Sequence, residues 1–189
     1  MMEMVYVGKE KLVGEIIGIT EQLTTIQVYE ETTGLKPGDP VYGTGAPMNV
    51  TLGPGIIDNI FDGIERPLKA IEEKTGAFIQ GGASVTSLDE QRLWDVTIKG
   101  RPGDYFAGGQ IYAVLPETAI IEHRLLTPPA LSGEVVRTAQ NGKYKLHDTI
   151  VTIKDDTGAT HDLTLCQQWP IRIPRPVQRR LSASVPLIT

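Results

Sequence analysis

Leu12-Val13-Gly14-Glu15-Ile16-Ile17-Gly18-Ile19-Thr20-Glu21-Gln22-Leu23-Thr24-Thr25-Ile26-Gln27-Val28-Tyr29 is the stretch that decides the fold class. Two runs rich in Val, Ile and Thr flank a polar turn at Glu21-Gln22, the pattern of consecutive β-strands. Reading outward, Met4 to Val7 is a further strand, separated by the turn candidate Gly8-Lys9-Glu10. Thr32 to Pro40 is a loop on its Gly and Pro content, and Val41 to Gly45 and Met48 to Leu52 resume strand character. Short strands with frequent turns predict a small barrel.

Leu52-Gly53-Pro54-Gly55 breaks this pattern, and one short helix is expected after it. Pro67 suits a first helical position, where its missing N–H is no loss. Ile64, Leu68 and Ile71 share a face, Lys69 and Glu73 are spaced for a surface pair, and Gly76 suits a left-handed stop. Gly81-Gly82-Ala83-Ser84 reads as a flexible joint. Strands return at Trp94 to Lys99, Gln110 to Leu115, Gly133 to Ala139, Thr149 to Lys154 and His161 to Leu165. Gly103 to Val114 aligns with Gly142 to Ile153, with Gly103 on Gly142, Tyr105 on Tyr144 and Ile111 on Ile150. Each copy is a turn leading into a strand. Two such halves about a pseudo-two-fold would make the sandwich of biotinyl and lipoyl carrier domains. From Trp169 to Pro176 the prolines exclude regular helix.

Composition narrows the function. The 189 residues hold enough apolar side chains for a core, and 20 Gly with 13 Pro favour turns over long helices. A net charge of −5 carries no basic footprint for nucleic acid. The apolar runs are too short for a helix to span a bilayer, and Met1-Met2-Glu3 opens no signal-peptide core. The single cysteine, Cys166, excludes an internal disulfide and fits a reducing compartment.

The chemistry-bearing motifs are absent or explained otherwise. A P-loop needs Gly-Lys followed by Ser or Thr; Gly8-Lys9 precedes Glu10 and Gly142-Lys143 precedes Tyr144. Asp156-Thr157-Gly158-Ala159 matches the short aspartic-protease signature. Lys154 and Asp155 stand where apolar residues should bury that site, so a hairpin turn is expected instead. His123, His147, His161 and Cys166 show no zinc-ligand spacing. A carrier module is the alternative reading, but it lacks an acceptor: no lysine lies between Val114 and Ser132, where Glu122-His123-Arg124 takes the middle. The arginines from Arg172 to Arg180 read as a solvated linker or a basic strip for an acidic neighbour. No catalytic, cofactor-binding or metal-ligating residue is assigned in this chain.

Several longer motifs carry a resemblance. Val28-Tyr29-Glu30-Glu31-Thr32-Thr33-Gly34-Leu35-Lys36-Pro37-Gly38-Asp39-Pro40-Val41 resembles the N-terminal barrel of the catalytic A subunit (alpha chain) of V-type and archaeal A-type rotary ATPases. The run from Leu52-Gly53-Pro54-Gly55 through Asp62-Gly63-Ile64-Glu65-Arg66-Pro67-Leu68 is similar to the segment after that barrel. Pro116-Glu117-Thr118, Ile121-Glu122-His123 and Pro128-Pro129 resemble the inserted bulge, or non-homologous region, of the same family. Gln168-Trp169-Pro170-Ile171-Arg172, Arg175-Pro176 and Pro186-Leu187-Ile188-Thr189 resemble the lead-in to its nucleotide-binding domain.

The resemblance implies a mainly β chain, a small N-terminal β-barrel plus a barrel-sandwich-hybrid-like module joined by a short helix. It divides the chain into residues 1–52 (barrel, first strand missing) and 53–84 (connecting segment with the helix). Residues 85–166 are then the bulge, and 167–189 a Pro- and Arg-rich lead-in to an absent nucleotide-binding domain. It implies a piece of the A subunit truncated at both ends, inactive alone. ATP and magnesium belong to the parent protein, and proton or sodium transport to the parent complex. The implied partners are the B subunit, other A subunits and the peripheral stalk. The implied location is cytoplasmic, touching the membrane only through the complex. Truncation that leaves the barrel incomplete would open an edge beside Met4–Val7 or Leu12–Ile19, able to pair with another copy in dimers that do not exist in the intact machine.

Overall fold

The computed structural model describes residues 1–57, 59–76, 82 and 85–177. The chain is mainly β, with one short helix, and it divides into two compact units. The first contains Met1–Val50, Asn59–Ser87 and Gln168–Ile173; the second contains Thr51–Asp58, Leu88–Gln167 and Pro174–Thr189. Neither unit is one continuous stretch of sequence.

The first unit is built on β1 (Glu3–Val7), β2 (Leu12–Ile19), β3 (Thr24–Val28) and β4 (Val41–Pro47), an antiparallel sheet ordered β3-β2-β1-β4. Val5 and Leu12 are buried on its inner face. Among the described residues no strand joins β3 to β4, so the sheet is open. Its outer strands are β3 and β4; β1 and β2, beside which the sequence placed an open edge, each have a paired strand on both sides.

β5 (Asn49–Leu52) carries the chain from the first unit to the second. Back in the first unit, Asp62 caps a tight turn by accepting from the N–H groups of Ile64 (3.0 Å) and Arg66 (2.9 Å). Helix α1 (Leu68–Thr75) comes next. Pro67 sits one position earlier than expected, as the extended N-cap (φ −71°, ψ 112°). Ile71 is fully buried, and Gly76 ends the helix at φ 79° with its N–H on the Glu72 carbonyl. Lys69 and Glu73 are both exposed and are not among the ion pairs of the described residues; in water such a pair is worth little.

Gly82, read from the sequence as part of a flexible joint, is held: its N–H donates to Glu30, and a Cβ there would lie 2.1 Å from the Glu10 carbonyl oxygen. Gly81, Ala83 and Ser84 lie outside the described residues, as do Asp58, Arg179, Arg180 and Pro186 to Thr189.

The second unit is a sandwich of two four-stranded antiparallel sheets. Its strands are β6 (Trp94–Ile98), β7 (Tyr105–Phe106), β8 (Ile111–Pro116), β9 (Glu122–Leu126) and β10 (Gly133–Thr138). β11 (Gly142–Tyr144), β12 (Val151–Lys154) and β13 (Thr160–Leu163) complete it, while β14 (Gln167–Pro170) leads out of the unit. The sheets run β13-β12-β10-β7 and β11-β6-β8-β9. β7, β9, β11 and β14 escaped the sequence reading; β7 and β11 are too short to show an alternating pattern.

The internal repeat has a structural meaning. β7 and β8 fall in opposite sheets, and so do their counterparts β11 and β12. The matched residues Tyr112 and Val151, and Val114 and Ile153, are all buried. Burial pushes the Tyr112 hydroxyl above its ordinary pKa, and the group is satisfied by donating to the Thr164 carbonyl at 2.5 Å. The chain packs closely at Gly133, where a Cβ would lie 2.2 Å from the backbone oxygen of Lys154. Backbone cannot step aside as a side-chain tip can. Gly133→Ala is therefore expected to lower stability by about 1–3 kcal/mol, read as a lower urea midpoint at unchanged slope.

Candidate functional site: three buried carboxylate clamps

The residues quoted for the resemblance converge on three buried carboxylates. Each gathers donors from sequence-distant parts of its own unit.

The first is Glu117, 7% exposed, at the β8–β9 turn. Its Oε1 accepts from the N–H groups of Gly55 (2.6 Å) and Ile57 (3.2 Å). His123 Nδ1 lies 2.7 Å from its Oε2, at hydrogen-bond distance. One side chain thus joins the Gly53-Pro54-Gly55, Pro116-Glu117-Thr118 and Ile121-Glu122-His123 motifs. The β8–β9 register sets this up by pairing Leu115 with His123 and Pro116 with Glu122.

The second is Glu30, whose side chain is 4% exposed. It accepts from Val13 N–H (2.9 Å), Gly82 N–H (3.0 Å) and Arg66 Nη1 (2.8 Å). Arg66 Nε also donates to Asp62 Oδ2 at 2.6 Å. Burial alone would raise the Asp62 pKa, but the bonds from Arg66 outweigh it and the net shift is downward. A cavity of about 500 Å³ lies beside this group, lined in part by Tyr6, Lys9, Lys11 and Arg66.

The third is Glu15, 1% exposed, in the middle of β2. Arg172 grips it through Nε (3.2 Å) and Nη2, and the Tyr29 hydroxyl donates to it at 2.6 Å. The Arg172 guanidinium holds the Glu15 carboxyl below the usual carboxylate range. The same carboxylate raises the Tyr29 hydroxyl above its ordinary value. Arg172, read from the sequence as linker charge or part of a basic strip for an acidic neighbour, is a structural partner here; nothing local in Trp169-Pro170-Ile171-Arg172 announces an acceptor 157 residues away.

The Glu117 and Glu30 clamps hold backbone N–H groups, and the Glu15 clamp ties two side chains, Arg172 and Tyr29. Each carboxylate oxygen of the three clamps lies within hydrogen-bond distance of a protein nitrogen or hydroxyl. Asp156-Thr157-Gly158-Ala159 is the expected β12–β13 turn, closed by Gly158 N–H on the Asp155 carbonyl and Asp155 N–H on that of Ala159. Asp155 Oδ2 meets His161 Nε2 at 2.7 Å. Cys166 lies 3.6 Å from His147 Nδ1, and burial raises its thiol pKa, which disfavours the reactive thiolate. Among the described residues no group of three or more His, Cys, Asp or Glu is placed to hold a metal ion. No described helix is long and apolar enough to cross a membrane.

The clamps make stability measurable. Glu117→Ala strands two backbone donors and His123, and should cost about 3 kcal/mol by urea denaturation. Glu117→Gln should cost less, because its Oε1 still accepts from Gly55 and Ile57. The Thr157 hydroxyl, then His161, hold the Asp155 carboxyl well below its ordinary value. A folded-state pKa below the unfolded one adds stability above the unfolded value, about 3.9, and loses it as pH falls. The urea midpoint should therefore drop more steeply below about pH 5 in the native protein than in Asp155→Asn.

Two family models match the chain in order. The β-barrel domain of the ATP synthase alpha/beta family covers residues 1–45, and the barrel-sandwich domain of the ATP synthase alpha/beta subunit covers residues 85–172. The whole chain is 56% identical to the V-type ATP synthase alpha chain of Halothermothrix orenii, of which it covers 32%. It is 47% identical to the A subunit of the A-type ATP synthase of Methanopyrus kandleri, again covering 32%, and 44% identical to that of Pyrococcus horikoshii, covering 20%. The chain thus spans about a third or less of the length of these relatives. The order of the two domains, and a likeness that extends over the whole chain, place it in the ATP synthase alpha/beta family, as its β-barrel and barrel-sandwich domains.

Proposed function

We propose that this chain is the non-catalytic N-terminal region of the catalytic A subunit of a V/A-type ATP synthase, serving ring assembly and peripheral-stalk contact. The carrying observation is that the three buried carboxylates are all spent on holding the chain in place. The catalytic lysine and magnesium-binding residues of the parent's nucleotide site have no counterpart here, and both Gly-Lys pairs lack the following hydroxyl. In the assembled enzyme the first unit would take its place in the crown of alternating A and B subunits. The second would project outward as the bulge, toward the peripheral stalk. ATP and magnesium, the coupled ion and the membrane belong to the parent complex. A sandwich whose motifs are pinned by buried hydrogen bonds transmits force with little internal give, which suits a part of the machine that resists torque.

The purified chain should neither hydrolyse ATP nor bind it tightly, yet should co-elute with the B subunit or with the peripheral-stalk proteins of the same complex. Turnover above background at about 10 μM protein, or a nucleotide Kd below about 10 μM, would overturn the non-catalytic reading. Failure to associate with either partner would overturn the assembly role.

A further inference from the structure

Three turns of the second unit meet at the thiol of Cys166. Leu165 N–H donates to the Leu146 carbonyl at 3.0 Å, which sets Cys166 beside His147. Lys145 Nζ donates to Gln91 Oε1 at 2.6 Å, which ties the turn before β6 to the same place. The turn that carries His147 is closed twice, by Asp148 N–H on the Lys145 carbonyl and by Lys145 N–H on Asp148 Oδ2 at 2.7 Å. Cys166 Sγ then lies 3.6 Å from His147 Nδ1, and His147 Nε2 lies 3.7 Å from Glu90 Oε1. The thiol is half-buried, while the His147 and Glu90 side chains are exposed. Gly53 closes the residue from another side, where a Cβ would lie 2.9 Å from that of Cys166. A reagent therefore meets the sulfur from the side of His147.

A nucleophile within reach of a base, with that base held by a third group, is the arrangement that activates thiols and hydroxyls. Burial raises the Cys166 thiol, the Thr164 hydroxyl lowers it and the Glu90 charge raises it again, with a net upward shift. Tyr112, the other ionisable group beside the thiol, has its hydroxyl committed to the Thr164 carbonyl and stays protonated. Little free thiolate is then present at neutral pH, so reaction needs the proton taken as the sulfur attacks. We propose that Cys166 is a site of thiol–disulfide exchange with a small-molecule disulfide, in which His147 removes the thiol proton and Glu90 orients the imidazole. With its hydrogen on Nε2 toward Glu90, the ring turns the Nδ1 lone pair to the thiol. The Cys166 sulfur attacks one sulfur of the disulfide. The small molecule's S–S bond breaks, a mixed S–S bond to Cys166 forms, and the thiol proton passes through His147 to the departing thiolate. Cys166 is oxidised and half of the disulfide leaves as a reduced thiol, so no further oxidant enters. Peroxide suits this sulfur less well, because sulfenic acid formation follows free thiolate character and exposure.

The 189 residues hold one cysteine, so the reaction reports on a single site. Dithiodipyridine added to the native full chain should release thiopyridone and leave one thiopyridyl group on Cys166, read by absorbance and by mass. His147→Ala should slow this at least about tenfold at about pH 7. It should matter much less at about pH 10, where hydroxide ionises the thiol directly. Glu90→Ala should slow the reaction only at the lower pH. Both substituted side chains are exposed, so the variants should keep the native urea midpoint. Reaction only after unfolding in urea would overturn the proposal. So would a His147→Ala chain as fast as the native one at the lower pH, or one slowed equally at both pH values, the mark of altered access. A Glu90→Ala chain reacting at the native rate would overturn the orienting role of Glu90.

Discussion

A carboxylate withdrawn from water costs several kcal/mol unless donors meet it, and in this chain that cost is turned into placement. Glu117 is met by two backbone N–H groups and a histidine. Glu30 is met by two backbone N–H groups and an arginine, and Glu15 by an arginine and a tyrosine. The chain leaves each unit and returns to it, and each carboxylate secures a segment distant in sequence. Gly55 and Ile57 are held by Glu117, Arg66 and Gly82 by Glu30, and Arg172 by Glu15. Hydrophobic burial is non-directional and would not by itself specify where a short segment docks; hydrogen bonds to a buried charge do.

This accounts for the character of the motifs. Gly-Pro-Gly, Pro-Glu-Thr, Ile-Glu-His, Asp-Gly-x-x-Arg-Pro and Trp-Pro-x-Arg carry the family resemblance when read as strings. In the fold they are donor and acceptor halves of structural clamps, with glycine where backbone must come close to a carboxylate and arginine where two acceptors are served at once.

Much of the architecture was legible from local pattern. Leu12 to Ile19 and Thr24 to Val28 announce strands through β-branched alternation, and Ile71 and Gly76 mark the helix and its end. The Asp156-Thr157-Gly158 turn was recognisable because Lys154 and Asp155 are polar where a catalytic loop would be buried. The sandwich was legible only through the faint Gly103/Gly142 repeat, since β7 and β11 are too short to carry a period. Of the clamps, neither the Glu117–His123 contact nor the Arg172–Glu15 contact has a local signal: a glutamate in a turn or a strand reads as exposed until its partners are known.

The sequence by itself determined the β class, the single helix, the lack of a P-loop motif among these residues and the family, because these rest on short-range pattern and on motif identity. The tertiary structure alone decided which strands are edges, which carboxylates are buried and which arginine is a partner rather than linker charge. Those depend on contacts between residues far apart in the chain, such as Glu15 with Arg172, and no local preference encodes a distance across the fold.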